Sequence, residues 1–199
     1  MIAAERDEER RAAWRAEAAA LDPAALVFVD ESSTHVSMTR RRARAARGER
    51  AVGRVPRNRD PRLSLVAALG PAGAGVAMTV PGAVDAAAFE AYLAQGLVPS
   101  LRPGQVVVID NLSVHKGART RALIEGAGCR LLFLPPYSPD FTPVELAFSK
   151  VKAHLRGVAA RTQQALECAV GDALARVTPA DAQNWFRHCG FPLPAAQSP

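Results

Sequence analysis

A chain of 199 residues in which 49% of the side chains are hydrophobic and 22% charged can bury the core of one ordinary domain, which excludes a mini-protein and wholesale disorder. Its three cysteines, Cys129, Cys168 and Cys189, are widely spaced and odd in number, so neither a disulfide framework nor a thiolate zinc site is indicated, and a reducing cytoplasm is expected. The net charge of +6 is local, because ten arginines between Arg40 and Arg62 meet only Glu49 and Asp60, giving +8 there and −2 over the rest.

The mixed-charge start MIAAERDEERRAAW lacks the apolar stretch of an export signal. An Ala-, Glu- and Arg-rich run over 5–20 predicts an exposed helix docked by Trp14 and stopped at Asp22-Pro23. Residues 1–22 are therefore set apart as an N-terminal helix or remnant linker, 23–191 as the folded domain, and 192–199 as a disordered tail. Leu26-Val27-Phe28-Val29 reads as a buried strand that ends at Asp30-Glu31. The arginine segment follows. Its guanidinium forks on Arg40, Arg41, Arg42, Arg44, Arg47, Arg54, Arg57 and Arg59 suit phosphate oxygens, with a solvated charged loop as the plainer alternative.

From Leu63 to Val84 no residue is charged, a length that would suit a membrane span. Gly70, Pro71, Gly73, Gly75, Pro81 and Gly82 instead punctuate two strands and a turn, and no membrane association is expected. Asp85 is placed to cap a helix through Phe89, Tyr92 and Leu93 towards Leu97, ended by Pro99 and Pro103. Val106-Val107-Val108-Ile109 repeats the first strand's pattern and again ends in an acid, Asp110. A short helix over 117–125, a strand over 129–134 and the turn Pro135-Pro136-Tyr137-Ser138-Pro139 come next. Pro143 opens a helix carrying Val144 to His154, and helices over 162–177 and 179–188 close the chain. The order predicts an α/β fold, a mixed five-stranded sheet flanked by helices on both faces.

Functional groups gather beyond strand ends in such sheets, so Asp30 and Asp110 can meet. Glu145, on the first turn after Pro143, is a third candidate, although a carboxylate there also complements the helix dipole. The three supply hard oxygen donors with no His or Cys cluster competing, which suits two Mg²⁺ ions, or Mn²⁺ as a substitute, rather than zinc. Two ions about 4 Å apart would clamp the attacking and leaving oxygens of a phosphodiester.

FVDES at 28–32, VVVIDNLSVHK at 106–116 and LLFLPPYSPDFTPVELAFSKVK at 131–152 resemble the DDE catalytic domain of Tc/mariner-superfamily transposases, in particular the bacterial insertion-sequence-630 family. RARAARGERAVGRVPRNRDPRLSLVAAL, LVPSLRPG and NWFRHCGF extend the resemblance to about residues 12–191, and 34 residues separate Asp110 from Glu145, the family's interval. The resemblance implies an RNase H-like fold in which Asp30 bridges two metal ions while Asp110 and Glu145 each hold one. It further implies DNA cleavage and strand transfer during transposition, on double-stranded DNA bearing terminal inverted repeats and at a TA target, by a homodimer on DNA in the cytoplasm, at the nucleoid. Thr142 stands where the family often has Asn, and Phe148 where it often has Trp; Thr142 is expected to cap the helix through its hydroxyl. About 25 residues precede the first strand, whereas family members usually carry helix-turn-helix domains there. A separately encoded helix-turn-helix half, a truncated remnant and a shortened protein all stay open.

Around the carboxylates, Glu31, Asn111 and His115 are candidates for a supporting role, with Glu31 expected on the opposite strand face. Lys150 and Lys152, on the Glu145 helix, are candidate phosphate contacts or a solvated face. A covalent recombinase would need an activated nucleophile, and neither Tyr92 nor Tyr137 has an evident one's setting. Two alternatives stand beside the transposase, an inactive DNA-binding or partner-binding remnant and a non-transposing nuclease of the same fold.

Overall fold

The computed structural model describes residues 4–193, so the tail expected over 192–199 lies, from residue 194 on, outside the described residues. Five strands form one sheet in the order β3-β2-β1-β4-β5: β1 (Leu26–His35), β2 (Arg62–Gly70), β3 (Gly73–Pro81), β4 (Val106–Ile109) and β5 (Arg130–Phe133). β1, β4 and β5 run parallel, while β2 and β3 add an antiparallel meander. The predicted mixed five-stranded sheet is what forms.

Helices cover both faces because the central strands are apolar on both. On one face α2 (Ala86–Tyr92) and α4 (Ala118–Gly126) bury Phe89, Tyr92 and Ile124 against Val27, Val29, Val107 and Ile109. On the other, α1 (Glu8–Ala19), α5 (Pro143–Val158), α6 (Gln163–Ala175) and α7 (Pro179–His188) enclose Leu26, Phe28, Val106 and Val108. No helix of the described residues is long and apolar enough to cross a membrane.

Three local expectations need correcting. β1 does not end at Asp30-Glu31 but continues to His35, because its pairing with β2 runs from Phe28 to His35 after the pairing with β4 has stopped at Val29. The helix capped by Asp85 ends at Ser100, between Pro99 and Pro103, but it is not one continuous α-helix: it widens into a π turn at Leu93–Leu97 and closes with the single turn α3 (Val98–Ser100). A Cβ at Gly96 would stand 2.8 Å from Val76, so glycine lets this turn approach β3. Thr142 occupies the cap position of α5, yet its hydroxyl makes no capping hydrogen bond and the side chain is buried.

α1 is locked onto the rest by a charged group inside the fold. The Arg11 side chain is 2% exposed and donates two hydrogen bonds to Asp140, Nη1 to Oδ1 at 3.1 Å and Nη2 to Oδ2 at 2.6 Å. Burial pushes the Asp140 carboxyl up, but the Arg11 guanidinium outweighs it, and the group sits below its ordinary range. Trp14 stacks on Phe141 with ring centroids 5.2 Å apart, and the Arg11 guanidinium lies 4.0 Å over the same ring. Asp140 and Phe141 form the turn that precedes α5. Replacing Arg11 by Ala leaves Asp140 only Arg6 and Arg15, each at 3.8 Å, and is expected to cost about 2 kcal/mol, less than a fully buried pair because Asp140 is half exposed; urea unfolding with an unchanged slope measures it.

Candidate active site

Strand pairing brings the first two acids together. β1 and β4 are in parallel register with Val29 opposite Ile109, so Asp30 and Asp110, the next residue on each, stand side by side at the carboxyl edge of the sheet. By alternation Asp30 shares the face of Leu26 and Phe28, the face covered by α5. Glu145 lies on the first turn of α5, behind the Pro143 that starts it. All three line one open cavity of about 390 Å³, together with Asn111 and a wall of Leu134, Pro135, Pro136 and Tyr137.

This cavity is short of positive charge. Burial pushes the Asp30 carboxyl up to about 7, and the facing charges of Glu145 and Asp110 add to the shift. The Glu31 amide, donating to Asp30 Oδ1 at 2.7 Å, offsets only part of it. The three acids offer carboxylate oxygens, the chemistry of a hard divalent cation, and such an ion would offset both the burial and the facing charges that raise Asp30. Among the described residues, no three His, Cys, Asp or Glu side chains stand close enough to hold a single ion together. Asp110 Oδ1 is drawn aside by the Leu112 amide at 3.1 Å and by His115 Nδ1 at 2.5 Å.

His115 is wholly buried and bridges two carboxylates: Nδ1 donates to Asp110, and Nε2 to Glu31 Oε1 at 3.0 Å. Burial alone would push the imidazole down, but the hydrogen bonds to Asp110 and Glu31 raise it to about 9, so it is an imidazolium with both nitrogens donating. Phe89 lies against the ring at 4.1 Å between centroids. Glu31, on the opposite strand face from Asp30, thus reaches the site through His115. Sequence reasoning had no signal for this pairing across 84 positions.

The basic candidates divide. Arg40, Arg41, Arg42, Arg44, Arg47, Arg54, Arg57 and Arg59 are all exposed in the segment between β1 and β2, which forms neither helix nor strand. Its root is tied down by Arg161, whose Nη1 donates to the carbonyls of Val36 at 2.7 Å and Met38 at 2.9 Å. Lys150 is not part of this surface, because its ammonium is engaged by Asp181 of α7 at 2.5 Å. Lys152 has no such partner among the described residues; burial first, then the charges of Arg59, Arg62, Arg156 and Lys152, hold His35 below its ordinary value. Arg156 is a residue the sequence reading missed; its position four after Lys152 on the same helix was the available signal. Leu112 was missed as well, and lines the cavity half exposed.

A family model described as DDE superfamily endonuclease matches residues 25–167. The catalytic domain of the Mos1 mariner transposase is similar with a TM-score of 0.69 at 14% identity, over 95% of this chain and 91% of that one. The Mos1 strand transfer complex gives a TM-score of 0.72 at 17% identity, over 95% of this chain and 61% of that one. The Mos1 paired-end complex with the left transposon end gives 0.70 at 17% identity, over 91% of this chain and 56% of that one. The chain thus spans less than two thirds of the longer Mos1 chains in those complexes, and at such identities the likeness is one of fold, the RNase H-like arrangement. No curated protein matches by sequence. The family match takes in Asp30, Asp110 and Glu145 together with the sheet and helix that carry them, and the chain belongs to the DDE superfamily endonucleases.

Proposed function

We propose that the chain is a transposase catalytic domain that cuts a DNA phosphodiester and joins the freed end to target DNA with the help of divalent metal ions. The observation that carries this reading is the meeting of Asp30, Asp110 and Glu145 around one cavity beside a concentrated arginine surface. These carboxylates would hold two Mg²⁺ or Mn²⁺ ions; the Mos1 paired-end complexes to which the chain is similar are described with Mn and with Mg. Bound there, such ions supply Lewis acidity to the scissile phosphate and to the attacking oxygen.

The chain's own residues do the positioning. Asp30 and Asp110 are held at fixed separation by the β1–β4 pairing, and Glu145 by the first turn of α5. His115, held by Glu31, orients the Asp110 carboxylate, and the charges of the Glu31–His115 pair cancel each other. The exposed arginines, with Lys152 and Arg156, take DNA phosphates and set the path of the duplex past the carboxylates. The insertion-sequence-630 branch, a bacterial origin, recognition of terminal inverted repeats and TA targets, a homodimer on DNA and a separate helix-turn-helix half belong to the same reading.

Asp30→Asn, Asp110→Asn and Glu145→Gln are each expected to lower Mn²⁺-dependent nicking of plasmid DNA by about a thousandfold or more, with circular dichroism well below the melting transition unchanged from that of the unmutated protein. Nicking without strand joining would identify a nuclease, and DNA binding without either an inactive remnant.

The site also sets a pH dependence. Asp30 and His115 both have folded-state values raised above their ordinary ones, from 3.8 to about 7 and from 6.5 to about 9. Each therefore favours the fold fully below its ordinary value and loses that contribution as pH rises through the raised one. Without metal, the thermal midpoint is expected to fall as pH goes from about 6.5 to about 9. Mn²⁺ should stabilise more at about pH 8 than at about pH 6, where Asp30 is mostly protonated, reaching about 2.7 kcal/mol at a hundred times its dissociation constant. Replacing Arg54, Arg57, Arg59 and Arg156 by Ala is expected to weaken DNA binding on all sequences and to flatten the salt dependence by about 0.9 in log–log slope for each phosphate that is no longer neutralised.

A further inference from the structure

Two non-glycine residues of the described chain have left-handed backbone, Ala159 at φ 52° and Tyr137 at φ 53°. Ala159 has a local reason, since it ends α5 and its amide donates to the Leu155 carbonyl at 2.9 Å. Tyr137 ends no helix. It stands between two pairs of fixed points: Pro135 and Pro136 before it, and behind it the buried Ser138, whose hydroxyl donates to the Pro136 carbonyl at 3.1 Å and whose own carbonyl accepts from the Phe141 amide at 3.1 Å. A bulky aromatic residue in this conformation is strained, and strain of this kind persists where the surroundings impose it.

The conformation leaves the ring 56% exposed at the rim of the cavity that Asp30, Asp110 and Glu145 line. Leu112, which lines the same cavity, is 52% exposed. A site that joins hard anionic oxygens to exposed apolar and aromatic side chains fits a ligand that joins a phosphodiester to a flat apolar body. In DNA the group next to a phosphate with that character is a nucleobase.

We propose that Tyr137 is a stacking platform for a nucleobase beside the scissile phosphate, one that has left its pair or lies in a single-stranded end. This rests on the DNA-cleaving reading above and adds to it a base-binding residue. The ring supplies a π-face that any base can use, so the contact holds the strand in place without reading sequence. The strained backbone is the means by which the turn delivers the ring to the rim instead of burying it.

The test uses a hairpin duplex with a short single-stranded overhang containing the fluorescent base aminopurine, titrated with the full chain in Ca²⁺. The unmutated protein, Tyr137→Phe and Tyr137→Trp are expected to quench the aminopurine. Tyr137→Asn is expected to lose the quenching and to bind the overhang about tenfold more weakly, while binding a blunt duplex as before. Asn tolerates left-handed backbone, so the same variant should melt at or above the unmutated protein. A lower midpoint for Tyr137→Asn with unchanged quenching would make the tyrosine a packing residue and overturn the proposal. Binding of the duplex by the unmutated protein without quenching overturns the stacking and leaves the DNA reading standing, whereas no DNA binding at all overturns both.

Discussion

The parallel pairing of β1 with β4 is the constraint on which the site depends. Each strand is apolar up to the residue before its acid, and the register that sets Val29 opposite Ile109 leaves Asp30 and Asp110 adjacent where the hydrophobic cover ends. A slip by one residue would turn Asp30 to the opposite face, into the layer of Phe89 and Ile124 and away from Glu145. The buried runs on both faces of both strands resist that slip, so the energy that holds the core also sets the separation of two charges. Burial first, and the opposing charges of Glu145 and Asp110 after it, push the carboxyl of Asp30 up to about 7, the local cost of the arrangement.

The third carboxylate depends on packing from the far end of the chain. Glu145 is placed by the start of α5, and the turn before α5 is clamped by α1 through Arg11, Asp140, Trp14 and Phe141. A helix that reads from its composition as a surface appendage is in this way a brace for the catalytic helix. The same clamp lies just beyond Tyr137 and Ser138, so the rim of the cavity and its third acid share one support.

Charge is distributed by reach as well as by position. The arginines stay in the open because a segment of such density cannot enter a core, and Lys152 and Arg156 extend their surface along α5. Lys150, two residues from Lys152 and so about 200° around the helix, meets Asp181 instead and ties α5 to α7. Buried His115 shows the opposite case, a cation kept inside because two carboxylates hydrogen-bond both of its nitrogens.

What could be read from residues alone was whatever local patterning encodes. Apolar runs named the strands, prolines and capping acids named the helix starts, and the motifs around Asp30, Asp110 and Glu145 named the candidate carboxylates and their family. The length of β1 was not legible, because its continuation to His35 is maintained by a partner strand that lies beyond the arginine segment. Nor were the Glu31–His115 bridge, the Arg11–Asp140 clamp, the loss of Lys150 from the basic surface or the left-handed turn at Tyr137. Each is decided by which groups meet across the fold, and a side chain's protonation, exposure and partner follow from those meetings, whereas periodicity and turn chemistry act within a few residues of one another.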